Sequence, residues 1–138
     1  MVKIVRRPVV VVSAFIKKNN KFLIAYDPRF KFCRVPGGRP RYGEKIEDAL
    51  KREIKEELNI EIKINNFLGF GQDIVTNFFH KKSVTRIILY FNCQFNGKIK
   101  RSKEIKKYKW LTLKEIKKHN NLEPAMLDLF NRFKLNKI

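Results

Sequence analysis

Two spacings of apolar residues divide the chain into strand-like and helix-like segments. Residues 9–16 form a nearly continuous β-branched run, which is typical of a buried strand. After a polar turn, residues 21–26 indicate the strand that returns beside it, and residues 32–35 indicate a short third strand. The isoleucines of residues 60–64 alternate with polar residues and predict a half-buried strand. These segments predict a sheet.

The second part of the chain continues the strand pattern. Residues 67–75 contain two glycines and indicate a strand with a bend or bulge, and residues 84–95 form the longest strand candidate. We expect a polar loop over residues 76–83, between these two strands. Asn96-Gly97 is the strongest hairpin signal in the sequence, and residues 107–111 predict a further strand after it.

Helical signals appear in three places. Thr112 is a candidate N-cap with Glu115 at the capping-box position, and Glu123-Pro124 begins a final helix because proline suits the first helical turn. The longest helical segment covers residues 44–58. Five apolar residues of this segment recur with a period of 3.6 and form a stripe that we expect to face the core: Ile46, Ala49, Leu50, Ile54 and Leu58. Strands around one helix, followed by C-terminal helices, predict an α/β fold with a mixed sheet between helices.

Several carboxylates of segment 44–58 lie on the wrong side for an ordinary surface helix. At about 100° per residue, Glu53 and Glu57 fall inside or at the edge of the apolar stripe, and Glu56 lies beside it. Burying even one such charge costs several kcal/mol unless it is paired. A hard divalent cation removes that penalty, and Arg52 is placed to hold one carboxylate through two hydrogen bonds. The competing interpretation is a lysine-rich helix whose glutamates face solvent.

The loop before this helix and the helix itself match a known motif. Gly38, Glu44 and the run R-E-I-K-E-E-L-N-I over residues 52–60 resemble the Nudix box, written G-x5-E-x7-R-E-U-x-E-E-x-G-U with U a bulky aliphatic residue. The one departure is Asn59 in place of the last glycine. That position follows the helix end, where a left-handed residue closes the C-cap and asparagine is the next choice after glycine. All acidic positions of the motif are present.

The resemblance to the Nudix (MutT-type) hydrolases implies a fold, a cofactor and a set of roles. The fold would be an α/β/α sandwich with a loop-helix-loop, and the reaction Mg²⁺-dependent pyrophosphohydrolysis of a nucleoside diphosphate linked to another group, with Mn²⁺ able to replace Mg²⁺. The implied ligands and catalytic residues carry over position by position. They are Gly37 (through its carbonyl), Glu53, Glu56 and Glu57 as metal ligands, and Glu44 and Arg52 as supporting residues. The base is either Glu53 or a later residue, for which Glu104 is the candidate.

The substrate is less well marked in the sequence. Arg29 and Arg34 stand near the entrance to the Gly-Gly loop, where they are candidates for phosphate contacts, although such residues are more often plain surface charges. Phe78 lies in the region that partly distinguishes family subgroups and is a candidate for stacking on a base. Nucleoside triphosphates, nucleotide sugars and related nucleotides all remain open.

Composition adds a question about partners. With 32 Lys plus Arg against 13 Asp plus Glu, the formal charge is +19, which predicts attraction to polyanions such as RNA. A lysine-rich proteome from an AT-rich genome or a hot habitat would explain the same charge.

The length suits one domain over residues 1–138, as a monomer or homodimer, and no apolar run is long enough to span a membrane. Cys33 and Cys93 carry no disulfide or metal pattern, so we expect reduced thiols in the cytoplasm.

Two alternatives to a nucleotide hydrolase therefore stay open. One is an RNA 5′-end pyrophosphohydrolase or decapping enzyme, which would use the same box and guide RNA along the lysine-rich residues 98–118. The other is a non-catalytic, RNA-binding Nudix module. The complete acidic set argues against the second alternative.

Overall fold

The computed structural model describes residues 1–100, 102, 105, 107–136 and 138. The elements follow the order β1 (Lys3–Lys18), β2 (Lys21–Asp27), β3 (Phe32–Arg34), β4 (Gly37–Gly38), α1 (Ile46–Leu58), β5 (Glu61–Asn77), β6 (Lys82–Asn96), β7 (Tyr108–Leu111), α2 (Leu113–Lys118) and α3 (Pro124–Arg132). The strands predicted over residues 60–64 and 67–75 belong to one long strand, β5. Thr112 caps α2 with the predicted capping box.

The strands form a mixed sheet, as predicted from the sequence. Their order is β3-β2-β1-β6-β5, with β4 beside β1 and β7 beside β2. Strands β1 and β6 run parallel, whereas the other strand pairs are antiparallel. The β5–β6 register shifts between Ile64 and Asn66 and again between Phe67 and Gly69, which confirms the predicted irregularity.

The sheet separates two apolar layers. Val12, Ala14 and Ile16 of β1 cluster with the buried side of α1, whereas Phe15 points the other way and clusters with Met126 and its neighbours on α3. Alternation along one strand thus supplies both cores, and the molecule is an α/β/α sandwich. Of the helices in the described residues, none combines the length and apolar character needed to cross a membrane.

Helix α1 begins later than predicted and buries a narrower stripe. Its N-cap is Lys45, and Ile46 is 37% exposed, so the expectation that Ile46 faces the core is wrong. Ile46 lies in the first turn, before the helix reaches the sheet. At the other end Asn59 has φ 58° and donates its N–H to the Lys55 carbonyl, which confirms the predicted left-handed C-cap.

The hairpin predicted at Asn96-Gly97 is also wrong. Gly97 does adopt a positive φ of 105°, but the chain does not fold back on β6, which already pairs with β1 and β5. Instead Lys100 donates its N–H to the Leu58 carbonyl at the end of α1, and β7 pairs with β2. The hairpin forms earlier, because β5 and β6 extend into the predicted loop of residues 76–83 and leave only a short turn there.

Candidate active site

A cleft of about 460 Å³ lies where β1, β4, α1, β6 and the start of α3 meet. Helix α1 contributes Glu53 and Glu57 to its lining, and the segment from the β2–β3 turn to β3 contributes Arg29 and Arg34. The cleft therefore combines carboxylates from one element with guanidinium groups from another. This combination suits a ligand that carries phosphates together with cations.

Two glycines allow the loop to approach β1 and α1 closely. A Cβ at Gly37 would overlap the backbone of Val12 and Ser13, and a Cβ at Gly38 would overlap the carboxyl group of Glu53. Glycine is needed here for space, since no other residue lets the backbone come so near. The close approach brings the main chain of β4 against the carboxylates of α1.

Arg52 links three carboxylates of the cluster. Its Nε and Nη2 donate to the two oxygens of Glu44 at 2.7 and 2.8 Å, which is the two-bond contact expected from the sequence. Its Nη1 donates to Glu53 Oε1 at 2.9 Å and lies 3.3 Å from Glu56 Oε2. The hydrogen bonds from Arg52 and from the Arg41 N–H lower the pKa of Glu44 to about 2. The same Glu44 contact raises the pKa of Arg52.

The three box carboxylates differ in exposure. The side chain of Glu57 is 2% exposed, that of Glu53 is 16% exposed and that of Glu56 is 50% exposed. Glu53 and Glu57 face the cleft, whereas Glu56 lies outside its lining. The row thus runs from buried to open, as the helical spacing predicted.

The donor chemistry of this row fits a hard divalent cation. Carboxylate and carbonyl oxygens are the ligands that Mg²⁺ and Mn²⁺ prefer, and Glu53, Glu56, Glu57 and the Gly37 carbonyl supply them. As the side chains stand, no group of three His, Cys, Asp or Glu is close enough to hold an ion among the residues that the structure describes. Guanidinium groups are placed at the carboxylates, with Arg52 at Glu53 and Arg34 3.9 Å from Glu57.

The two candidate phosphate ligands share one buried partner. Asp27 accepts hydrogen bonds from Arg29 and from Arg34, each with a shortest distance of 2.8 Å. Burial alone would raise the pKa of Asp27, but these two arginines outweigh it and lower the pKa to about 2. Burial alone would lower the pKa of Arg34, yet Glu57 and Asp27 raise it. Both arginines line the cleft.

Comparison with known proteins agrees with the motif and with the fold. The family model of the NUDIX domain matches residues 6–133. The chain belongs to the Nudix hydrolase family. A MutT protein from Methanosarcina mazei Go1 has the same fold, with a TM-score of 0.78 at 22% sequence identity over 94% of this chain and 96% of that one.

Two curated Nudix relatives share part of the sequence. An ADP-ribose pyrophosphatase from Methanocaldococcus jannaschii is 42% identical over 65 residues, which are 45% of this chain and 38% of that protein. The nucleoside triphosphatase NudI from Escherichia coli is 34% identical over 83 residues, which are 56% of this chain and 59% of that protein. The matches thus span only about two-fifths to three-fifths of these curated relatives.

Outside the Nudix box, the structure reveals a buried polar network that the sequence analysis missed. Arg86 donates to Asp73 at 2.9 and 2.7 Å and to Glu123 at 3.1 Å, and the Tyr90 hydroxyl donates to Glu123 at 2.7 Å. Asp73 also accepts the Ala125 N–H at the start of α3. Burial raises the pKa of Glu123 although Arg86 opposes it. A signal was present, because Asp73 and Arg86 are charged residues at inward positions of two strand patterns.

Two predicted site residues remain, Phe78 and Glu104. Phe78 is 49% exposed, carries the Lys31 ammonium 4.5 Å from its ring centre and does not line the cleft. Phe30 does line it, with the Arg86 guanidinium 5.0 Å from its ring centre. Glu104, the candidate base, falls outside the described residues.

Proposed function

We propose that this Nudix hydrolase is a Mg²⁺-dependent pyrophosphohydrolase that cleaves a phosphoanhydride bond in a nucleoside diphosphate linked to another group. The observation that carries the proposal is the carboxylate row of α1. Arg52 contacts Glu53 and Glu56 of this row, and Glu53 and Glu57 line a cleft that Arg29 and Arg34 also line. A mononucleotide substrate would place its phosphates between these two sets of charges.

Each residue of the row has a proposed role. Glu53, Glu56, Glu57 and the Gly37 carbonyl would hold Mg²⁺, or Mn²⁺ in its place. When bound, the ion neutralises charge that builds on the phosphate oxygens during cleavage. Arg52 orients Glu53, and Glu44 fixes Arg52 from the other side.

The base that takes the proton from the attacking water is Glu53 or Glu104. Glu53 is connected to Arg52 and stands beside the cleft, which favours it on position. Exchange of Glu53 and Glu104 for glutamine, one at a time, separates the two by the pH profile: the variant of the base loses the acid-side pH dependence of kcat, whereas the other variant keeps it. The size of kcat alone does not decide, because Glu53→Gln also removes a proposed metal ligand.

Arg29 and Arg34 would bind the phosphates on the substrate side. For base stacking we favour Phe30 over Phe78, because Phe30 lies in the cleft and aromatic–base stacking is worth roughly 1–3 kcal/mol. The curated relatives are named for ADP-ribose and nucleoside triphosphate hydrolysis, which supports a nucleotide substrate.

A substrate panel tests this proposal. We would measure product release with Mg²⁺ from nucleoside triphosphates (including oxidised ones), ADP-ribose, nucleotide sugars, diadenosine polyphosphates and a 5′-triphosphorylated RNA. We expect turnover of one nucleotide class. Absence of turnover across the panel, combined with RNA binding, would favour the non-catalytic RNA-binding module instead.

One observation favours RNA 5′-end hydrolysis as a second candidate. Exposed Arg39, His80 and Lys82 lie at the lining of the cleft, in a chain whose formal charge is +19. A longer polyanion that leaves the cleft past these residues would gain contacts that a mononucleotide cannot make.

A further inference from the structure

Asp27 accepts hydrogen bonds from two of the arginines that line the cleft, Arg29 and Arg34. It ends β2 and is 3% exposed. Its oxygens accept from the Arg29 backbone N–H at 3.0 Å, from Arg29 Nε and Nη2 at 3.1 and 2.8 Å, and from Arg34 Nε at 2.8 Å. One buried carboxylate thus fixes two guanidinium groups that come from different positions in the chain.

The two arginines face different parts of the cleft. The Arg29 side chain is 45% exposed and lines the open part of the cleft. The Arg34 side chain is 9% exposed and brings Nη2 to 3.9 Å from Glu57 Oε1, on the side of the proposed metal ligands. Arg34 Nη1 also donates to the Val35 carbonyl, just before the Gly-Gly loop. Arg34 therefore connects Asp27, the loop and Glu57.

We propose that Asp27 is a positioning residue that couples the substrate side of the cleft to its metal side: it aims Arg29 at the substrate phosphates and, through Arg34, sets the orientation of Glu57. This inference rests on the proposed function. It assigns a role to a residue outside the Nudix box.

A purely structural role for Asp27 explains less of the arrangement. Burial of the Arg34 guanidinium requires one compensating carboxylate, and Arg34 donates only one hydrogen bond to Asp27, from Nε. The half-exposed Arg29 side chain does not need a carboxylate to offset burial, yet it donates to both carboxylate oxygens of Asp27. Most of the hydrogen bonds that Asp27 accepts come from Arg29, and they orient the Arg29 side chain toward the cleft.

The test uses four variants of the whole protein. Asp27→Asn keeps the shape of the carboxylate and removes its charge. Arg34→Lys keeps the positive charge but loses the fork that reaches Asp27 and Glu57 together. Arg29→Gln removes the rim guanidinium. Glu61→Gln is the matched charge control, because Glu61 is 74% exposed and lies outside the cleft lining.

Two readouts are taken for each variant: Mn²⁺ binding, from the free-ion signal in electron paramagnetic resonance, and steady-state kinetics on the substrate that the panel identifies. For Arg34→Lys we expect weaker Mn²⁺ binding and a lower kcat, by about 10-fold or more, as is usual when a partner behind a metal ligand is lost. Arg29→Gln raises KM more than it lowers kcat. Asp27→Asn shows both defects, and Asp27→Asn combined with Arg34→Lys is no worse in kcat than the poorer single variant.

Several outcomes would overturn the inference. Normal Mn²⁺ binding and kinetics in folded Asp27→Asn would do so. Wild-type Mn²⁺ binding and kcat in Arg34→Lys would also do so, because a positive charge alone would then be enough at this position. If Asp27→Asn fails to fold, Mn²⁺ binding by Arg34→Lys decides. If the wild-type protein hydrolyses no nucleotide, the proposed function fails, but the Mn²⁺ readout still tests the coupling separately.

Discussion

Arg52 is the residue on which the arrangement of the α1 carboxylates depends. Five of its hydrogen bonds reach three glutamates, and Nη2 also donates to the Arg39 carbonyl in the loop before the helix. Without it, like charges on neighbouring turns would repel each other and the side chains would separate. A planar guanidinium is suited to this task because it offers several donors in fixed directions.

We predict that Arg52→Lys lowers turnover by about 10- to 100-fold, the usual effect of losing an outer-shell partner, with little change in melting temperature. A lysine ammonium cannot contact Glu44 through two parallel bonds while it also reaches Glu53. Steady-state kinetics and thermal unfolding check this. Arg132→Lys is the control, since Arg132 also pairs with a carboxylate four residues away on a helix, Asp128, but lies outside the cleft lining. Equal activity of the Arg52 and Arg132 variants would contradict the prediction.

Asp27 gives a prediction for acid stability. Folding lowers the pKa of Asp27 from 3.8 to about 2. The ionised Asp27 side chain therefore stabilises the folded protein fully above pH 3.8, and this stabilisation is lost as the pH falls from 3.8 through about 2. The shift corresponds to about 2 kcal/mol. Urea unfolding of the wild type and Asp27→Asn should differ by about this amount at pH 6, and the difference should shrink toward pH 2. A constant difference across that range would contradict the account.

At the scale of the elements, the site is formed where the Gly-Gly strand β4 meets α1. Helix α1 and its C-cap at Asn59 could be predicted because capping and periodicity are local properties. The path of the chain after Asn96-Gly97 could not be predicted. The local sequence contains a turn signal, but it does not show which edge of the sheet β7 will join. Pairing of β7 with β2 depends on the whole sheet, so a correct local turn led to a wrong hairpin.

Gly38→Ala tests the contact between these two elements. The added methyl group would meet the Glu53 carboxyl group, which Arg52 holds in place. We expect a loss of about 1–3 kcal/mol in unfolding free energy, the usual range for overpacking, together with a large loss of turnover. Chemical unfolding and kinetics measure the two effects.

The control for that variant is Gly43→Ala. Gly43 has φ 77° with open space around its Cβ position, so alanine costs about 1–2 kcal/mol of backbone strain without touching Glu53. If Gly43→Ala loses as much turnover as Gly38→Ala, general destabilisation explains the result and the contact does not.

At the scale of the whole molecule, residues far apart in sequence meet in one cleft. Arg86 of β6 and Glu123 at the start of α3 line the cleft, and Asp73 of β5 accepts from Arg86 behind it. A charged residue at an inward strand position is visible in the sequence, but the partner that it meets is not. The sequence therefore indicated the box carboxylates together with Arg29 and Arg34, and missed Arg86 and Glu123, which the sheet brings to the cleft. Net charge is likewise a property of the whole molecule, and it leaves the nature of the polyanion to experiment.

Salt dependence separates a mononucleotide substrate from an RNA end. Each phosphate contact to single-stranded nucleic acid contributes a slope of about −0.7 in log affinity against log salt. If exposed Arg39 and Lys82 guide RNA, KM for a 5′-triphosphorylated RNA should rise with salt much more steeply than KM for a nucleoside triphosphate. Parallel salt dependence of the two KM values would remove the RNA assignment.

The central claim is that the α1 carboxylates form a metal-dependent hydrolytic site, and Glu57→Gln tests it most directly. We would measure Mg²⁺-dependent product release by the wild type, by Glu57→Gln and by the exposed control Glu61→Gln, with unfolding curves for all three. We expect Glu57→Gln to lose roughly 100-fold or more in turnover, the scale of an essential catalytic group, while it stays folded and Glu61→Gln matches the wild type. A folded Glu57→Gln protein with near-normal turnover would show that the α1 carboxylates are not the hydrolytic site.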